Sequence, residues 1–316
     1  MTVKEIRSFF EKMGLPGRDL YDLPDSAKTF PDGAHYRIEI AGVERFSTLE
    51  ALVDESGKRN TPVHRVIATV GGASYCDFKE LKAMAALARQ EGIEVIMTIG
   101  PRKAWDAGAK EAVTPEGQAQ GYRLRGTDAT VNWIADMDRC LEAGMRGFLV
   151  YDEGVLSIVN RMREEGVIPT ETVFKFSVFG GYAGAAGARL LEALGVNSMN
   201  PVSDVSLPIL AGIRRAVDMP LDVYISVVDA FGGMFRLYEA PEIARVSSPC
   251  YFKIEPGESE AVIYKPWVSE AWHAGFIREK VKMASIILEI MGRHAEGLKT
   301  SARGASDLVL PAGENY

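Results

Sequence analysis

Cysteine is scarce. The three in 316 residues, Cys76, Cys140 and Cys250, are too few and too far apart for a disulfide framework. They also exclude a four-cysteine zinc or iron–sulfur site within one chain, so no iron–sulfur cluster is expected. Histidine is nearly as rare. His35 and His64 fall at strand starts, and His273 and His294 lie in the last helical segment. That placement argues against a His-rich zinc site and a histidine-based nucleophilic triad. No apolar run approaches the length of a membrane span, and the N-terminus lacks the apolar core of a signal peptide. A reducing, cytoplasmic setting is the expectation. Basic charge is not in excess: 36 Lys and Arg face 43 Asp and Glu, a net charge of −7. Nucleic acid and anionic membrane are therefore not expected partners.

What is present is alternation. A β-rich run, a turn signal and a helical pattern recur eight times. The strand candidates are Tyr36–Ala41, Val63–Val70, Ile93–Ile99, Gly147–Asp152, Val173–Phe179, Val196–Asn200, Leu221–Val228 and Pro249–Glu255. Most run into Gly or Pro, as at Phe179-Gly180-Gly181 and Phe231-Gly232-Gly233. Helical patterns fill the gaps, and Ser47/Glu50 and Asp77/Glu80 read as capping pairs. Eight β/α pairs over about 250 residues is the pattern of a single-domain α/β (β/α)8 TIM barrel. A doubly wound sheet is the rival, but no GxGxxG follows the first strand.

The organisation expected is an N-terminal helical extension over 1–35, the barrel over 36–295 and a polar C-terminal tail over 296–316. The helix Val3–Met13 either caps the barrel bottom or makes a homo-oligomer contact. Residues 100–127 form a long basic loop after strand three, with Arg102, Lys103 and Trp105. Such a loop in a compact barrel reads as a lid.

Strand alternation predicts a charged interior. Arg37, Glu39, Arg65, Glu94, Lys175, Asp222, Lys253 and Glu255 all fall on inward positions. For Arg37, Arg65, Glu94 and Asp222, near strand starts, internal ion pairing is the expectation. Groups toward the strand ends are expected to rim the functional mouth, among them Glu39, Asp152, Glu153, Ser177, Asn200, Ser226 and Glu255. Lys175 and Lys253 lie one layer deeper. Each suits an ion pair, a cation for a substrate carboxylate, or a Schiff-base nucleophile. Glu39, Asp152, Glu153 and Glu255 are the candidate ligands for a hard divalent ion such as Mg²⁺ or Mn²⁺, or else they only neutralise interior cations. Gly180 and Gly181 open a strand-to-helix turn suited to an anion. The turn at Gly232 and Gly233 with Arg236 is a rival anion site.

Three stretches carry a resemblance: Val150-Tyr151-Asp152-Glu153-Gly154-Val155-Leu156, Gly187–Gly195 and Ser203-Asp204-Val205-Ser206-Leu207. Over Gly147–Ser226 the chain resembles the peptidase U32 family, which implies a barrel. The family's His-Ala-Ser-Thr-Gln-like strand is replaced by Phe174-Lys175-Phe176-Ser177-Val178. Its His-Gly-Ala-Leu-Cys-like segment is replaced by Ile225-Ser226-Val227-Val228-Asp229, and its clustered cysteines are absent. No family catalytic residue falls on a matched position.

The functional expectation is a barrel enzyme for a small anionic carbonyl or hydroxy compound, with aldolase-like lyase or isomerase chemistry. Lys175 is the Schiff base or carbonyl-polarising cation, with Lys253 a further catalytic candidate, and Glu39 or Glu255 moves the proton. Arg102, Ser177, Gly180, Gly181, Asn200, Ser226 and Arg236 bind substrate. It needs either no cofactor or a divalent metal. The alternatives are a metal-assisted hydrolase of the U32 peptidase type and a non-catalytic ligand-binding barrel.

Overall fold

The computed structural model describes residues 1–69, 72–100, 123–263 and 269–313. Eight strands run parallel: β1 (Tyr36–Ala41), β2 (Arg65–Ala68), β3 (Glu94–Thr98), β4 (Gly147–Val150), β5 (Val173–Phe176), β6 (Ser198–Met199), β7 (Leu221–Ser226) and β8 (Cys250–Ile254). Each pairs with the next, and β8 pairs with β1 to close a TIM barrel. The surrounding helices are α2 (Phe46–Arg59), α3 (Phe78–Gln90), α4 (Gly126–Glu142), α5 (Glu153–Glu164), α6 (Ala185–Ala193), α7 (Leu207–Ala216), α8 (Ala240–Ser247) and α9 (Glu270–His294). Ahead of the barrel stands α1 (Val3–Lys12).

The two faces of each strand separate cleanly. Ile38, Ile40, Val66, Val95, Phe148, Phe174, Phe176 and Phe252 point outward into the main core beneath the helices. That is the period-2 alternation of a strand with one face against helices. Inside, Ala41, Ile67, Ile96 and Leu149 form a separate apolar cluster on the β1–β4 side. The rest of the interior is polar and charged, with Glu39 of β1, Arg65 of β2 and Glu94 of β3 joining the residues of β5–β8.

Side-chain caps set two of the starts of the surrounding helices. The Asp77 carboxylate accepts the Glu80 N–H at the start of α3, and Asp152 accepts the Val155 N–H at the start of α5. The Ser47/Glu50 pairing is corrected: α2 begins at Phe46, and Thr48 Oγ1 accepts from the Arg45 N–H at 3.0 Å. The Ser47 hydroxyl is left buried without a partner among the described residues.

The C-terminal segment is not a solvated tail. His64 Nδ1 accepts the Ile38 N–H at 3.0 Å, and its Nε2 donates to the Ser301 carbonyl at 3.0 Å. Arg37, buried at the barrel base, donates to Ser301 Oγ (2.7 Å) and forks onto Asp307 (2.6 and 2.9 Å). The Val309 N–H reaches Glu94 Oε1 at 3.2 Å, and the Ala312 N–H reaches the Gly144 carbonyl at 2.7 Å. The tail therefore closes the bottom of the barrel, where unpaired interior charge would otherwise meet water. From the other end of the chain, Phe30 packs edge-on against Tyr251 and lies 3.9 Å from the Arg37 guanidinium. Helix α1 buries none of its side chains.

Candidate active site

Inside the barrel, contacts between alternate strands build layers. Near the base, Arg65 donates to Ser198 Oγ (3.0 Å), pairs with Glu94 through its Nε and stacks 3.7 Å over the Tyr251 ring. One layer up, Lys175 Nζ lies 2.9 Å from both Glu39 oxygens and 2.5 Å from Asp222 Oδ2. Arg65 Nη1 also reaches Glu39 (3.3 Å) and Asp222 (3.1 Å), which ties the two layers together. These charges are almost fully excluded from water. Removing one partner from such a group leaves an uncompensated buried charge.

The pKa directions follow from this crowding. Burial pushes the Glu39 carboxyl up, but Lys175, Arg65 and Lys253 overcome it and hold it below the ordinary carboxylate value. Burial raises Asp222, which Lys175 only partly opposes and the Glu39 charge reinforces. Burial lowers Lys175, partly offset by Asp222 and Glu39.

Above this layer lies a second lysine. Lys253 Nζ donates to Asn200 Oδ1 at 3.0 Å, lies 3.3 Å from Glu255 Oε2 and sits 4.5 Å above the Tyr224 ring. The Tyr224 hydroxyl donates to the same Glu255 oxygen at 2.9 Å. Asn200 is held by its own amide, which donates to the Asp222 carbonyl at 2.7 Å. The Glu255 backbone N–H donates to Ser226 Oγ at 3.3 Å. The other oxygen of Glu255, Oε1, is buried and has no hydrogen-bond partner among the described residues, and neither has Thr98 Oγ1. A buried carboxylate oxygen without a donor is costly, and native proteins rarely leave one. Over this cluster, the loops after β5, β7 and β8 pack Val178, Val227, Val228 and Ile263 around Tyr224. Phe179 and Phe231 meet edge-to-face at 5.4 Å beside them.

The structure brings Lys175, Glu39, Lys253, Glu255, Asn200 and Ser226 into one continuous interior, but at different depths. Glu39 does not rim the mouth. Ala41 is the next inward residue above it on β1, so Glu39 is sealed in the Lys175 layer. Asp152 and Glu153 stand apart from Glu255. Asp152 accepts from the Leu124 and Val155 N–H groups, while Glu153 accepts from the Tyr182 hydroxyl (2.7 Å) and Arg123 (2.8 Å). Among the described residues, no three His, Cys, Asp or Glu side chains are grouped to hold a metal ion. Glu39, Asp152, Glu153 and Glu255 therefore do not fit together as a divalent-ion site.

Several of the other binding candidates have structural duties. Ser177 Oγ accepts the Phe179 N–H at 3.3 Å and caps a short 3₁₀ turn. A Cβ at Gly180 would sit 2.1 Å from a Phe176 ring carbon, so close packing already accounts for that glycine. Gly181 adopts φ +74°, a left-handed conformation that favours glycine. The Arg236 guanidinium is taken by Glu239 (2.5 Å) and the Val205 carbonyl (3.0 Å). Arg102 and residues 101–122 of the lid reading over 100–127 lie outside the described residues, and Gly126 and Thr127 at its end already open α4. Sequence reasoning missed Lys280. It is fully buried on α9 and donates to the Ala41 carbonyl at 2.7 Å, where helical position alone suggests a solvated charge.

No protein-family model matches the chain, and no curated protein matches it. Among solved structures it is similar to the YdjI aldolase of Escherichia coli K12, at 14% identity over 83% of this chain and 93% of that one, with a TM-score of 0.47. It is also similar to N-(5'-phosphoribosyl)anthranilate isomerase of Pyrococcus furiosus, at 10% identity over 79% and 100% of the two chains, with a TM-score of 0.40. A U32 peptidase is similar at 16% identity over 66% and 74%, with a TM-score of 0.39. The barrel assignment rests on the closed pairing of eight parallel strands rather than on these likenesses.

Proposed function

We propose that the mouth of the barrel binds a small anionic carbonyl or hydroxy compound and moves a proton on it, as a lyase or isomerase of the aldolase type. The observation that carries this reading is Glu255 Oε1, without a hydrogen-bond partner among the described residues, just past the C-terminal end of β8 and beside the Lys253 ammonium. Barrel enzymes act at that end. A carboxylate with one oxygen held and, among the described residues, one without a donor suits accepting a proton from a bound compound.

Glu255 Oε1 takes the proton, either from the carbon next to a carbonyl or from a hydroxyl whose loss of a proton breaks the adjoining carbon–carbon bond. Lys253 lies beside the substrate oxygen and stabilises the negative charge that develops there. Tyr224 and Asn200 fix the two groups, and the apolar wall of Val178, Val228 and Ile263 strengthens these interactions by excluding water. Lys175 acts one layer below as a positioning charge. Its ammonium lies between Glu39 and Asp222, whereas Lys253 stands beside Glu255, so in this reading Lys253 is the lysine next to the substrate.

A thermal-shift screen of 2-oxo and 2-hydroxy acids tests the binding half. Compounds that raise the melting temperature of the wild-type protein are expected to lose that effect in Lys253→Met. Shifts of equal size in both proteins would remove Lys253 from the site.

A further inference from the structure

We infer that Thr98, which takes no part in the proposed proton transfer, is a specificity-determining contact of the mouth. Its hydroxyl holds a further, uncharged oxygen of the substrate, so that hydroxylated 2-oxo acids are selected over their deoxy counterparts. The 2-oxo acid in this inference rests on the proposed function; the hydroxyl contact rests on Thr98 itself.

Thr98 ends β3. On that strand Glu94 points inward to Arg65 and Ile96 lies in the interior apolar cluster, while Val95 and Met97 face the helices. Alternation therefore turns Thr98 into the barrel, at the end where barrel enzymes act. Only 2% of the residue is exposed, and its Oγ1 has no hydrogen-bond partner among the described residues. The inward serines differ. Ser177 accepts the Phe179 N–H, Ser198 donates to Asp222 and Ser226 accepts the Glu255 N–H. Valine would fill the same shape as Thr98 without burying a hydroxyl, so the hydroxyl itself needs a reason.

The position of Thr98 relative to Glu255 shapes the ligand. One inward rung of the barrel runs Lys253, Glu39, Arg65, Glu94 across β8, β1, β2 and β3. Two residues farther along each strand, the next runs Glu255, Ala41, Ile67, Ile96, and Thr98 stands one inward step above Ile96. Two buried oxygens without a partner among the described residues, Glu255 Oε1 and Thr98 Oγ1, thus flank an aliphatic wall. Three strand spacings of about 4.8 Å part β8 from β3 around that wall, and the inward reach of both side chains shortens the gap to that of a short carbon chain.

The wall also decides which group Thr98 takes. Leu149 is its partner by register on β4, and both Leu149 and Ile96 belong to the apolar cluster. A carboxylate set there would exchange its hydration for a single hydroxyl, whereas a neutral hydroxyl trades one hydrogen bond for another. The ligand thus offers its oxo group to Lys253, its labile proton to Glu255 and a hydroxyl to Thr98, with carbon against Ala41 and Ile67 between them. A site built to bond a hydroxyl rejects the analogue that lacks it, because its own polar group then stays unpaired.

Isothermal titration of the full chain with 2-oxobutanoate, 2-oxopentanoate and 2-oxohexanoate, each with and without a hydroxyl at carbon 4 or beyond, tests this, alongside urea unfolding without ligand. At least one hydroxylated acid is expected to bind the wild type about tenfold or more tightly than its deoxy counterpart. Thr98→Val should narrow that ratio to about twofold or less, with a urea midpoint at or above that of the wild type, and Thr98→Ser should keep the ratio. A clearly lower midpoint in Thr98→Val would make the hydroxyl a structural partner and overturn the inference. So would a wild type that binds these acids without preference, or a preference that survives in Thr98→Val. Deuterium exchange on the same acids separates the two claims. Glu255-dependent exchange without a hydroxyl preference overturns only the role of Thr98, and a Thr98-dependent preference without exchange overturns only the proton transfer. A wild type that binds none of the acids overturns both.

Discussion

His64 should make the protein acid-sensitive in a defined pH window. Its ring is fully buried between β1 and the C-terminal segment, with Nδ1 accepting the Ile38 N–H and Nε2 donating to the Ser301 carbonyl. That arrangement admits one neutral tautomer. A second proton would sit on Nδ1 and face the Ile38 donor. Burial pushes the pKa from 6.5 down to about 4. The unfolded chain therefore takes up a proton as pH falls through 6.5, while the folded chain refuses it until about 4. The contribution of His64 to stability is complete above pH 6.5 and is lost as pH falls toward 4. At about 1.4 kcal/mol per pKa unit, the loss is about 2 kcal/mol at pH 5 and approaches about 3 kcal/mol at pH 4. Urea denaturation at half-unit steps from pH 8 to 4.5 measures it. His64→Gln should be less stable at pH 8 but should show a shallower fall between pH 6.5 and 4.5. Parallel slopes for wild type and His64→Gln would refute the reasoning.

Three further outcomes follow from the interior and the turns. Lys175→Met leaves the buried carboxylates of Glu39 and Asp222 to share Arg65 and should cost about 3–5 kcal/mol in urea unfolding, while adding Asp222→Leu should recover a good part of it. Truncation after Leu298 removes Ser301 and Asp307 and strands Arg37 and His64, so it should lower the melting temperature by more than 10 °C or give insoluble protein. Gly180→Ala should destabilise by roughly 1–3 kcal/mol through the clash with Phe176, and should leave ligand-induced thermal shifts unchanged. A loss of anion binding in that variant would restore the turn as an anion site.

Much of the barrel was legible because the strands are short and β-rich and most run into a nearby glycine or proline. Tyr36–Ala41 is found with the bounds that the sequence suggests, and the inward side of β1, β7 and β8 follows from simple alternation. Depth was not legible. Alternation says that Glu39 and Glu255 both point inward, but the stagger of the strands seals Glu39 beneath Ala41 and leaves Glu255 at the top. The packing of the tail was not legible because its contacts are long-range: Ser301 and Asp307 meet residues some 240–270 positions away. Local polarity carries no trace of such partners. Asp222 belongs to the same lesson. It lies near a strand start, yet it meets Lys175 in the same layer as Glu39.

The central claim is that Glu255 Oε1 removes a proton from bound substrate. The direct measurement is proton NMR in deuterium oxide, following exchange at the carbon next to the carbonyl of 2-oxo acids, with pyruvate first. Wild-type protein should exchange deuterium into at least one such acid well above the buffer rate, and Glu255→Gln should lose that exchange by about 100-fold or more while keeping its fold. Exchange at the same rate in both proteins, or no exchange by the wild type on any acid that stabilises it, would contradict the account.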